Sequence, residues 1–94
     1  MADFNISAIK MDSTGQHIEW VKTHKTGGTG SSVNSRKFVA ELISAGKATF
    51  QTIFFDPVKN VWIHGAIVKA TPAGYITTHP DGTTLDNLGR LPRF

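Results

Sequence analysis

Residues 48–55 cannot form a strand with one dry face. Alternation puts Phe50, Thr52 and Phe54 on one side and Thr49, Gln51, Ile53 and Phe55 on the other, so large apolar side chains emerge from both. Residues 61–69 repeat the problem, with Ile63 and Ile67 opposed to Trp62, Ala66 and Val68. A sheet built on these two strands needs cover on both faces, yet only one stretch of the chain has helical spacing. Over residues 33–45, Phe38, Val39, Leu42 and Ile43 stand at i, i+1, i+4 and i+5, one apolar stripe on a helix. At ~1.5 Å per residue that helix is roughly 18 Å long and covers part of one face. The remaining cover must come from sheet curling, from the end of the chain or from a second subunit, because apolar patches beyond a few hundred Å² mark interaction sites.

The C-terminal run is the first candidate for that cover. Behind the turn residues Pro80, Asp81 and Gly82, Leu85, Leu88, Leu91 and Phe94 recur three apart. A disordered end is polar and poor in aromatics, so this segment is expected to fold back as a clasp on the core. A dimer is the second source.

Elsewhere the pattern is of strands. Residues 4–11 mix β-formers with polar residues and meet a turn at Asp12, Ser13, Thr14 and Gly15. Residues 17–24 follow as a hairpin partner with Ile18, Trp20 and the stem of Lys22 on one face. A glycine-rich loop at 26–32 leads to the helix, which Ser32, Asn34 or Ser35 caps and Gly46 ends. Residues 56–60 turn the third strand into the fourth, where Gly65 marks a bulge or a close approach of another group. Residues 75–78 form a short last strand. The expected architecture is a single α+β domain over residues 1–94: an antiparallel sheet in the order β-β-α-β-β-β, one helix packed on it, and the C-terminal tail folded back on the core.

Three stretches together resemble a family of small uncharacterised bacterial proteins, a domain of unknown function. They are Ile6 to Met11 followed by the Ile18 to Val21 strand with Trp20; Gly30 and the serines leading into a helix with the apolar pairs Phe38-Val39 and Leu42-Ile43; and Ile76 to Thr83 followed by Asp86-Asn87-Leu88 and Leu91-Pro92. Thr77 stands where family members commonly carry an arginine, which weakens the idea of an anion-binding arginine there, and the helix entry is about one residue longer. The resemblance implies a bacterial, single-domain protein and supplies no catalytic residues.

The chemistry the sequence offers is sparse. Without cysteine there is no disulfide, thiol nucleophile or thiolate metal site. The first residues lack a secretory pattern, and no segment approaches the ~20 apolar residues of a membrane helix, so the expected location is cytoplasmic with no membrane partner. Residues 25–32 offer glycines and hydroxyls between a strand and a helix, but lack the Gly-Lys-Ser/Thr spacing of a phosphate loop; a mobile connector is expected. His17 and His24, seven apart on one strand, point to opposite faces, and Asp81 to Asn87 lack the spacing of a calcium loop. No Gly-x-Ser-x-Gly elbow or carboxylate pair appears. No catalytic residue, metal ligand or cofactor is therefore assigned, and the chain is read as a non-enzymatic protein-interaction module, with an unknown protein or itself as partner.

The alternative is a weak nucleic-acid binder using sheet aromatics and dispersed Lys and Arg. The net charge of +3 is spread with no dense basic block. The candidate interaction residues are Phe55, Trp62, Lys59, Lys69 and Arg93. Exposed aromatics beside lysines favour nucleic acid, whereas a deep pocket gathering His and Asp favours catalysis.

Overall fold

A computed structural model describes residues 2–15, 17–28, 30–78 and 91–94 of the chain. The first hairpin forms as its sequence dictates. Strands β1 (Phe4–Met11) and β2 (Ile18–Lys25) pair antiparallel. In the turn between them Asp12 Oδ1 accepts from the Thr14 N–H at 3.1 Å and its hydroxyl at 2.6 Å. Ser, Thr and Asp favour such turns because their side chains can bond nearby backbone.

The chain then departs from expectation. Where helix was expected from residue 33, Ser32–Ser35 forms a third strand, β3, antiparallel to β2. A ladder of hydroxyls and an amide holds it there: Asn34 Nδ2 donates to Thr23 Oγ1 at 2.8 Å, and Thr23 Oγ1 lies 3.0 Å from Ser32 Oγ. The loop before it is tied at its start, with the Thr26 N–H donating to Asp3 C=O and the Thr26 hydroxyl to Ala2 C=O. Helix α1 (Arg36–Ser44) starts directly after this strand, three residues later than expected, its Phe38 N–H capped by Ser35 Oγ at 3.1 Å. It ends as the sequence indicated. Gly46 adopts φ +69°, which costs glycine little, while the Gly46 and Lys47 N–H groups bond the Ile43 and Leu42 carbonyls. The buried stripe is displaced by one position: Val39 and Ala40 are buried, Leu42 and Ile43 pack partly, and Phe38 is 49% exposed.

Strands β4 (Phe50–Asp56), β5 (Val61–Ala70) and β6 (Ile76–Thr78) complete one six-stranded sheet in the order β3-β2-β1-β4-β5-β6. It is mixed, not antiparallel. Strands β1 and β4 run parallel over Phe4↔Phe50 to Ile6↔Thr52, because the connection between them carries β2, β3 and α1 and returns the chain to the same end of the sheet. On the helix face lies the core of Ile6, Ile9, Val21, Phe50, Val68 and Ile76, closed by Val39 and Ala40 of α1 and by Leu91. Phe4 and Phe50 stack at 5.2 Å across the parallel pair.

Two bulges interrupt the β1–β2 pair. At the Lys10/Met11 irregularity Met11 pairs with Ile18, so Ile18 packs toward the core while Trp20 stays outward; the single face expected for Ile18 and Trp20 is broken. At the other, between Ile6 and Ala8, Ser7 is the extra residue. A bulge adds twist, and β4 pairs with β1 only up to Ile6. Beyond it the tail takes over: the Ile9 N–H donates to Pro92 C=O at 2.9 Å, the Phe94 N–H to Ile9 C=O at 3.1 Å, and Arg93 bridges Ile9 in parallel. The clasp is thus a strand edge with Leu91 buried, while Phe94 stays exposed. Leu85 and Leu88, with most of the C-terminal signature, lie outside the described residues.

The open face of the sheet

The face opposite α1 is set by register. Core positions Ile6, Ile9, Val21, Thr23, Phe50, Thr52 and Val68 fix one side, so Asn5, Ala8, Lys10, Lys22, His24, Gln51, Phe55, Trp62, Ile67 and Lys69 project from the other. No described helix covers it. Trp62 is 53% exposed and Phe55 46%, and as directly paired residues of β5 and β4 they meet edge to face at 5.2 Å and 64°. His24 comes within 6.3 Å of the Trp62 ring.

Beside this pair the divergence of β4 from β1 leaves a pocket of about 300 Å³, lined by Ser7, Ala8, Lys22, Phe54, Phe55, Trp62 and Pro92. Its walls are aromatic and aliphatic, and Lys22 is the charged residue among them. The Ser7 bulge on one side and the tail at Pro92 on the other keep it open.

A polar row crosses the middle of the face. Gln51 Nε2 donates to Asn5 Oδ1 at 2.8 Å and to His64 Nδ1 at 2.7 Å; since an amide nitrogen only donates, His64 Nδ1 is the acceptor. Ser7 Oγ meets His24 Nε2 at 2.6 Å. These bonds pin four strands side by side and leave the His64 imidazole exposed, with His24 partly so. Lys10 and Lys22 lie toward the Trp62 end and Lys69 toward the other. Among described carboxylates, Asp3 is turned onto Thr49, Asp56 caps the Val58 N–H in the β4–β5 turn, Asp12 closes the first hairpin, Glu41 is on α1, and Glu19 sits at the second bulge. None lines the pocket.

Of the residues singled out in the sequence, Phe55 and Trp62 come together at the pocket. Lys59 is exposed in the adjoining turn, and Lys69 is exposed at the far end of β5. Arg93 belongs to the tail: its Nη1 donates to Leu91 C=O at 2.7 Å and its backbone bridges Ile9. Sequence reasoning missed Lys22, Ser7, His24, Gln51 and His64, whose convergence depends on strand order and bulges. The histidines scatter. His17 precedes β2 and stacks on Tyr75 at 4.6 Å, at the opposite end of the strand from His24, and the other face of that corner is closed by Arg36, 4.5 Å over the Tyr75 ring and donating to the Ile18 and Gly74 carbonyls. His79 lies outside the described residues. Among the described residues no three His, Asp or Glu side chains form a metal-binding group, and no helix is long and apolar enough to cross a membrane.

No curated protein and no solved structure matches the chain. A family model does, over residues 5–92, which takes in the described helix and the described strands apart from Phe4 of β1, and the chain therefore belongs to the family described as protein of unknown function DUF3892.

Proposed function

We propose that this chain is a binding module that acts without catalysis, and that an anionic partner docks on its open sheet face at the Phe55–Trp62 pocket. One observation carries the reading: two half-exposed aromatic rings flank a pocket of about 300 Å³ whose charged wall is a lysine. Large aromatic side chains left half in water, on a face that the fold has room to cover, are the signature of a contact surface. Lys10, Lys22 and Lys69 give that face its sign. Three lysines far apart in the sequence thereby share one surface, which favours encounter with an anion. A second copy of the chain is a poorer fit, since a two-fold contact through this face would set lysines against lysines.

Amide chemical-shift mapping with a heparin oligosaccharide, used as a generic polyanion, tests this reading. Shifts at Lys22, Phe55 and the Trp62 indole N–H, lost in Lys22→Glu, are expected. Shifts confined to α1 or to the 26–31 loop would refute it.

A further inference from the structure

We infer that the anionic partner is a single-stranded nucleic acid, with one base held in the Phe55–Trp62 pocket; this rests on the open-face reading above. The chemistry of the face separates this partner from an acidic protein. An acidic peptide is satisfied by lysines alone and gains little from aromatic rings standing half out of the sheet. A nucleotide needs three things at once: a ring face to stack on, polar groups that meet a base edge, and cations spaced along a backbone. The open face has all three in order. Phe55 and Trp62 supply an edge-to-face pair with the pocket beside it. His24 stands within 6.3 Å of the indole, and His64, held through Nδ1 by Gln51, keeps its other ring nitrogen for a ligand. Lys22 sits at the pocket, with Lys10 on the neighbouring strand and Lys69 beyond the polar row.

A duplex fits less well. Its bases are stacked inward and cannot enter a pocket between two strands, so it can use the lysines alone. Both shape and chemistry therefore select an unpaired strand.

The test is a titration of labelled oligo(dT) and oligo(U), each about ten nucleotides long, against the whole chain at about 150 mM salt. Anisotropy is read together with tryptophan fluorescence in a Trp20→Phe background, where Trp62 is the remaining indole. Saturable binding with quenching of Trp62 is expected, and Trp62→Ala should weaken it by roughly tenfold or more. Lys22→Gln should weaken all sequences alike and lower the salt slope by about one. Equal affinity for a duplex of the same length would overturn the single-strand inference. So would polyglutamate that quenches Trp62 and displaces the oligonucleotide, though the open-face reading would then stand. Absence of oligonucleotide binding alongside positive heparin mapping has the same meaning. Oligonucleotide binding that leaves Trp62 fluorescence unchanged, and that both Trp62→Ala and Phe55→Ala leave intact, would overturn the inference and the open-face reading together.

Discussion

A methyl group added at Gly65 would overlap Thr52 Oγ1 and stand 2.8 Å from Phe54 Cε2. Thr52 is fully buried, and its hydroxyl oxygen accepts from the Ala66 N–H at 3.0 Å, so it has no room to retreat. Gly65→Ala should therefore destabilise the protein by about 1–3 kcal/mol, the range for overpacking, read as a lower urea midpoint with an unchanged slope. An unchanged midpoint would show that the β4–β5 pair can shift. Trp62 makes the contrasting case three positions away. Its ring is half in solvent and its main partner is Phe55 at 5.2 Å, so Trp62→Ala should cost no more than about 1 kcal/mol. Gly65 was readable in the sequence as a bulge or a close approach, and it is both, since the β4–β5 register shifts where Gly65 and Ala66 stand opposite Thr52. The half-exposure of Trp62 was not readable, since alternation gives a side chain a face but does not say which face is covered.

Along the elements, the helix was found from its spacing and misplaced by its start. Ser32-Val33-Asn34-Ser35 reads as a cap, and Ser35 does cap, yet Ser32 Oγ and Asn34 Nδ2 tie the segment to Thr23 as an edge strand. Local sequence cannot choose between the two uses, because the same polar residue types serve both. The shift carries a test. Val39 is fully buried and Phe38 is half exposed, so Val39→Ala should lose about 2 kcal/mol and Phe38→Ala, the larger deletion, distinctly less. Thermal melts of the two variants decide it, and the reverse ranking would restore the stripe expected from spacing alone. The parallel β1–β4 pair was illegible for a different reason: a strand apolar on both faces fits either direction. The lysines illustrate the same limit. Lys10, Lys22 and Lys69 are far apart in the chain and share a face only once β1, β2 and β5 are placed in one sheet.

For the molecule as a whole, residues 91–94 are the closing piece. Leu91 is buried at 2% exposure, and the tail supplies two backbone bonds to Ile9 where β4 has left β1. Deleting 91–94 should cost about 2–5 kcal/mol, comparable with removing a buried leucine, and should also unmake the Pro92 wall of the pocket. Circular dichroism melts check the first effect, and loss of Trp62 quenching by oligo(dT) checks the second. The shared edge of β1 also sets the order in which the chain can reach this state. β1 has its hairpin partner close by in sequence, but its other side waits for Phe50–Thr52 and for residues 91–94, far more distant along the chain. Such long-range closures make folding slow, in the range of about milliseconds to seconds, and leave a central strand with unpaired N–H and C=O groups in the interval. Residues 91–94 thus decide when the middle of the sheet ceases to be a template for wrong pairing.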